Sequence, residues 1–376
     1  MRFVGVVLAG LILMWPVVQA AAEPDAAPPA QAQEQTPDPT PPPPQSQGKP
    51  DGKPESKTCD YIHGPFLRLL EDWRKTCGHA LCGQVVAADA ARVKKSAKPC
   101  DAETWLSLKD DMRATIVGGG AVLFGEVHDN PLHHDLRSRV GMSNFPAAIM
   151  EQISAEQMPA ADAYLTANAT KLNDKSLDEF KSAVNWETSG WQQYKYDPLL
   201  RAMLLGRSAL YAGDPGRDTI KKIAKEGADV VPLDERQRLK LDVALGEKLD
   251  ADSEKEIEDS HCGMIPKTAV PNMAFAQRYR DAFMADALIK AEDKQHAAVL
   301  FAGNGHLRTD RGVPWYLHQR APGKPVLSIM LLEVEDGKTD AADYVPKDPD
   351  GKPAADYIIF TPRASRDDPC KGLEKK

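Results

Sequence analysis

Two stretches of this sequence place glycine and histidine at the same spacing after an apolar run. Residues 122–128 read VLFGEVH and residues 299–306 read VLFAGNGH, each ending in G-x-x-H. Glycine lets a chain turn sharply at the end of a strand. A histidine three residues later can point back over the sheet, so His128 and His306 are the first candidates for holding a ligand or moving a proton. Glu126 lies inside the first motif, Glu151 follows the apolar residues 147–150, and Gly213-Asp214 follows residues 209–212. Glu126, His128, Glu151 and His306 together offer mixed nitrogen and oxygen donors, which suit Mn, Fe, Co or Zn better than Ca. The same groups would serve a hydrolase, with or without a metal, with histidine as base and glutamate as its partner. The bland alternative is that each histidine caps a helix or bonds locally. His133-His134 stand at the first turn of a helix, where the positive helix end disfavours imidazolium; a solvated surface pair is the other reading.

Those residues need elements to carry them. Short β-rich apolar runs occupy residues 121–125, 147–150, 209–212, 297–302, 326–334 and 357–360. The first four are continuous rather than alternating, as in strands buried on both faces. Asn130-Pro131 predicts a helix start, with Leu132, Leu136 and Val140 on one stripe. Residues 272–291 predict another helix, with Met273, Ala276, Arg280, Met284 and Ala287 along one face. Strands alternating with helices imply an α/β fold: a mainly parallel central sheet flanked by helices, with a helical insertion lobe between Ile153 and Ser208. In such sheets ligands bind beyond the carboxyl ends of the strands.

Of 376 residues, 47 are Lys or Arg and 55 are Asp or Glu, a net charge of −8. No basic excess exists to collect phosphates, and aromatics are 6%, so nucleic acid is a poor partner. Arg2 and the apolar residues 3–18, ending in Val18-Gln19-Ala20, read as a secretory signal over residues 1–20; an uncleaved anchor is the alternative. No cysteine precedes Cys59, so that route offers no lipid anchor. Residues 21–58 form a proline-rich linker that cannot bury enough apolar surface to fold. Export to an oxidising compartment, a periplasm, makes disulfides the expected state of the six cysteines. Cys59, Cys77, Cys82 and Cys100 are expected to pair among themselves in a segment (59–105) outside the α/β core. That leaves Cys262 and Cys370 to tie down the tail (365–376), with the main domain at 106–364.

GEVHDNPLHH, WETSGWQQYKYDPLL (186–200), SHCGM (260–264), AQRYRDAFMADAL (276–288) and AGNGHLRTDRGVPWYL (302–317) occur in that order. Together they resemble the ChaN family of haem-binding, iron-uptake-associated proteins, grouped with the Tiki metalloproteases and erythromycin esterases. The resemblance spans about residues 110–335. It implies an α/β fold, haem as the ligand, and a partner in an outer-membrane haem uptake system, and it leaves room for a homodimer. It marks Glu126, His128, His133, His134, His261, Gln277, Arg280, Asp281, Asn304, His306 and Arg308. A haem reading needs an axial His, Tyr or Met and cations for the propionates. His128, His306, His133, Tyr194 or Tyr196 are the candidates for the first, Arg280 or Arg308 for the second. The competing reading is a Tiki-like metal-dependent hydrolase built on the paired G-x-x-H motifs and Glu126.

Overall fold

The structure is a computed structural model that describes residues 64–93, 103–140, 145–173, 175–366 and 370–371. The signal and linker readings, and Cys59 and Cys100, fall outside the described residues. The strands are β1 (Val85–Ala87), β2 (Ala121–Phe124), β3 (Ala147–Ser154), β4 (Ala209–Asp214), β5 (Ala298–Phe301), β6 (Val326–Glu333) and β7 (Tyr357–Thr361). The first helices are α1 (Pro65–Thr76), α2 (Glu103–Val117), α3 (Pro131–Ser138), α4 (Met158–Asn168), α5 (Ser176–Ala183) and α6 (Asp197–Gly206). There follow α7 (Arg217–Glu226), α8 (Leu233–Leu239), α9 (Glu247–Ser260), α10 (Val270–Gln295) and α11 (Val313–Arg320).

The strands make one seven-stranded sheet in the order β1-β7-β6-β2-β5-β3-β4. All pairings are parallel except β1 with β7. The continuous apolar runs are central strands, buried along their whole length in β2 and β5. Alternate side chains feed two cores. Phe124, Met150 and Phe301 pack with Leu199, Leu200 and Met203 of α6 on one face. Leu123, Ile149 and Leu300 pack with Ala282, Met284 and Leu288 of α10 on the other. The period-two alternation of a strand thus decides which core each residue joins.

Asn130 caps α3 as its sequence predicts, its side chain accepting the Leu132 N–H at 2.9 Å, with Pro131 at the first helical position. The stretch between Ile153 and Ser208 is helical, and its α5 and α6 side chains belong to the first core. The segment 59–105 was expected outside the core, and here the structure differs. Phe66, Leu70, Trp73 and Cys82 are buried in the first core, and Val85 pairs with Ile359. Its three-residue strand is too short to show periodicity, and its partner lies at the far end of the chain.

Cys77 bonds Cys82, and Cys262 bonds Cys370. Both agree with the expected grouping of the cysteines. The second bridge closes a sequence separation of 108 and fixes the segment after β7. In that segment Arg366 pairs with Glu333 and, at 2.7 Å, with Asp129, next to His128. Replacing Cys262 and Cys370 by serine should lower stability by about 2–4 kcal/mol, read from urea midpoints. An unchanged midpoint would mean that other contacts hold the tail.

Candidate functional site

β2 and β5 are direct neighbours, so the two G-x-x-H turns leave the sheet side by side. They interlock through their glycines. A Cβ on Gly125 would lie 2.0 Å from Asn304 Oδ1, and one on Gly303 would lie 2.8 Å from His128 Nε2. Each motif's glycine therefore makes room for a side chain of the other motif. The Asn304 N–H also bonds the Glu126 carbonyl at 3.0 Å. The space itself, rather than the freedom of the turn, requires glycine here.

His128 stands where the two faces of the sheet meet. On the α6 face, its Nδ1–H donates to Glu126 Oε1 at 2.7 Å. That same oxygen accepts from the Tyr196 hydroxyl at 2.5 Å and from Gln152 Nε2 at 3.0 Å. The other oxygen, Oε2, pairs with the Arg137 guanidinium, and both side chains are wholly buried. On the α10 face, His128 Nε2 lies 3.9 Å from Glu151 Oε1. Glu151 also accepts from Arg280 Nη2 at 2.7 Å and from the Gly303 N–H at 2.7 Å. His306 Nε2 is 3.4 Å from the same Glu151 oxygen, while its Nδ1 bonds Asp281 at 2.5 Å. Both imidazoles thus approach one carboxylate. β3 explains the arrangement: it runs on through Ser154, so Glu151 and Gln152 are strand residues pointing to opposite faces. Glu151 was expected to follow the strand; a register shift between Met150 and Ser154 carries the strand past it.

The electrostatics separate the two histidines. Burial lowers the pKa of His128, whose Nδ1 proton faces Glu126, so its Nε2 carries the lone pair. Burial would lower His306 as well, but Glu151 and Asp281 outweigh it and raise its pKa to about 9. Burial alone would raise Glu151; the surrounding His128, His306 and Arg280 hold it well below the usual carboxylate range.

These contacts bear on the divalent-metal expectation. Glu126, His128, Glu151 and His306 converge, yet each carboxylate is already bound to an internal cation: Arg137 for Glu126, Arg280 and His306 for Glu151. Among the described residues no group of three or more His, Cys, Asp or Glu side chains is arranged to hold a metal ion. The array reads as a salt-bridge network that aims one imidazole outward.

That imidazole opens into a crevice of about 830 Å³ beyond the carboxyl ends of β3 and β4, within the ordinary range of about 300–1,000 Å³ for small-molecule sites. The His128 side chain is 36% exposed there. Glu151, Asp214, Arg280, Trp191 and Tyr194 line it, together with Arg217 and Lys221 of α7. Trp191 meets His128 edge-on with ring centroids 5.0 Å apart. Arg217 and Lys221 lie one helical turn apart and make no ion pair among the described residues.

Several expected site residues sit elsewhere. His133 and His134 are fully buried, which overturns the surface-pair reading. His133 accepts the Val127 N–H at 2.8 Å and donates to Thr361 Oγ1 at 2.7 Å. His134 donates to the Lys195 carbonyl at 2.9 Å and stacks on Tyr196. Burial lowers their pKa values to about 3 and about 4, so both are neutral. Tyr196 is buried against Glu126, leaving Tyr194 as the tyrosine on the crevice. Asn304 spends its amide on the Leu331 backbone, donating at 2.7 Å and accepting at 3.2 Å. Arg308 pairs with Asp310 at 2.5 Å and donates to the Lys347 carbonyl at 2.9 Å. His261 ends α9 and bonds the Ile257 carbonyl at 2.8 Å. Gln277 reaches His306 at 3.2 Å from the facing helix α10. Arg137, Gln152, Trp191, Arg217 and Lys221 were not singled out from sequence. Arg137 had a signal: it follows His133 and His134 by four and three residues, on the same face of α3.

A family model described as haem-binding uptake, Tiki superfamily, ChaN matches residues 112–317. Among solved structures, the chain is similar to one described as cofacial haem binding to ChaN of Campylobacter jejuni. The identity is 17% and the TM-score 0.50, covering 67% of this chain and 90% of that one. At that identity the likeness speaks for the fold. The type III effector HopBA1 (11% identity, TM-score 0.30, 65% and 88% covered) and a succinoglycan biosynthesis protein (13%, 0.31, 76% and 77%) match more loosely and carry no argument. No curated protein sequence matches the chain. The fold and the family match, which spans more than half of the sequence, place this chain in the haem-binding uptake family of the Tiki superfamily, ChaN.

Proposed function

We propose that this chain is an exported haem-binding protein of an iron or haem uptake route, holding the porphyrin in the crevice beyond β3 and β4. The observation that carries the reading is His128: Nδ1–H is fixed on Glu126, and Nε2 makes no hydrogen bond among the described residues. A neutral imidazole oriented by a carboxylate is the usual form of an axial histidine. When bound, the iron would supply the Lewis acid that this nitrogen meets. Trp191 and Tyr194 offer apolar faces to a flat ring, and Tyr194 a second oxygen donor. Arg217, Lys221 and Arg280 are the cations that line the crevice and could meet propionates. Glu151 holds Arg280 and His306 in place. The two disulfides suit an oxidising compartment, and the family's uptake role supports our reading of a partner in an outer-membrane haem uptake system.

Haem titration followed by visible absorption tests this. His128→Ala should weaken haem binding on the order of a hundredfold, about 2.8 kcal/mol, with a changed Soret band and an unchanged unfolding midpoint. His306→Ala should weaken the same binding less, by releasing Glu151, and the double variant should be non-additive because both histidines act at one carboxylate. Wild-type affinity and spectrum in His128→Ala would remove the reading.

A further inference from the structure

The Cys262–Cys370 disulfide joins the turn after α9 to the segment that follows β7. Both of its cysteines are half-buried, whereas Cys82 of the other bridge is wholly buried. A disulfide within reach of solvent is the more open to thiol exchange. The segment after β7 touches the turn that carries His128 at two places. The Pro362 carbonyl accepts from Asn130 Nδ2 at 3.0 Å, and Arg366 Nε lies 2.7 Å from Asp129 Oδ2. Glu333 of β6 links the two contacts, accepting from Asn130 Nδ2 at 2.7 Å and from Arg366 Nη1 at 2.9 Å.

The Arg366 and Asp129 side chains are 24% and 25% exposed, and a partly exposed ion pair contributes little by itself. Confinement is what keeps this one closed. Arg366 stands four residues before Cys370, so the bond holds it within about 14 Å of its anchor. At that tether length the guanidinium stays at a high effective concentration beside Asp129. Resting on the reading that this crevice holds the ligand, we propose that the Cys262–Cys370 bond is a reducible latch on the crevice. Closed, it keeps Arg366 on Asp129 and fixes the turn that carries His128. Opened, it frees that turn and loosens the hold on the ligand. The opening step is thiol–disulfide exchange with a dithiol. One thiolate of the reductant attacks one sulfur, the second thiol resolves the mixed disulfide, and the reductant closes its own disulfide. The two electrons and two protons it gives up leave Cys262 and Cys370 as thiols. Arg366 is the positioning residue that carries the state of the bond to the turn.

The test is amide hydrogen exchange on the full chain, before and after treatment with dithiothreitol. Reduction should speed exchange over residues 127–132 about tenfold, while the amides of β2 and β5 keep their protection. Cys262→Ser/Cys370→Ser should show the fast turn without reductant and gain nothing from it, which separates this bond from Cys77–Cys82. Arg366→Met should show the fast turn with the bond intact. The serine variant should also bind haem about tenfold more weakly than the oxidised wild type. An unchanged turn on reduction, a response that survives in the serine variant, an equal rise across all strands, or wild-type haem affinity in the serine variant would overturn the proposal. Failure of the underlying haem reading is separate: the oxidised wild type would take up no haem, while the exchange response of the turn would stand.

Discussion

Replacing Arg137 by methionine should cost the fold about 3–5 kcal/mol, a large share of the roughly 5–15 kcal/mol that stabilises an ordinary domain. The guanidinium is fully buried, pairs with the equally buried Glu126, and lies 5.5 Å from the centre of the Phe301 ring. Methionine fills much the same volume, so the loss is not a cavity effect. It is the cost of leaving the Glu126 charge in a dry interior with only neutral donors. Glu126→Gln in the same chain removes that charge, so the double variant should recover most of the loss. Urea unfolding of the single and double variants measures both. A single variant within about 1 kcal/mol of wild type, against the usual cost of an orphaned buried charge, would mean that water reaches Glu126 and that the pair is not dry.

The pH dependence of stability should fall away on both sides of a maximum near pH 6.5. His133 is neutral in the fold, with its pKa lowered by burial to about 3, whereas in the unfolded chain it titrates near 6.5. Its contribution is full above pH 6.5. As pH falls the unfolded chain takes up a proton that the fold refuses, and by pH 3 the loss is roughly 4–5 kcal/mol. Glu151, held well below the carboxylate range, acts in the same direction at lower pH, while Asp281, raised by its burial, opposes it. His306 has the other sign. Its pKa is raised to about 9, so its contribution is full below pH 6.5 and is lost as pH rises to 9, on the order of 3 kcal/mol. Urea midpoints from pH 4 to 9 would trace both arms. His133→Asn should flatten the acid arm by about one proton, and a normal NMR titration of His133 in the folded protein would defeat the argument.

Local chemistry was legible in the sequence, and long-range pairing was not. Asn130-Pro131 declared the start of α3 because a cap and a first-turn proline act within a few residues. The central strands declared themselves because burial on both faces leaves an unbroken apolar run. The neighbouring G-x-x-H turns placed His128 and His306 at one sheet edge, and Glu151 was seen before its partners were known. What the sequence concealed depends on facing elements. An arginine late in α3 reads as a solvated helix end, yet Arg137 is the buried counter-ion of Glu126. Asn304 and Arg308 lie inside a motif of the resemblance, yet both side chains brace backbone or loop. His306 looks like a ligand by spacing, and only the facing Glu151 and Asp281 carboxylates, from β3 and α10, reveal that its pKa is raised.

The position of β7 between β1 and β6 also sets a timetable for the nascent chain. The N-terminal strand has no partner until the last strand has emerged, since Val85 registers with Ile359 and the Gly83 amide bonds the Phe360 carbonyl at 2.9 Å. Pairing across so much chain is slow to close. The loop bearing His128 waits as well, because Asn130 donates to the Pro362 carbonyl and Asp129 meets Arg366, both beyond β7. A ribosome-bound chain that already carries both G-x-x-H turns therefore still lacks the brace that steadies them. Pairing of β1 and bracing of the loop that carries His128 are deferred until β7 and the residues just after it have been made.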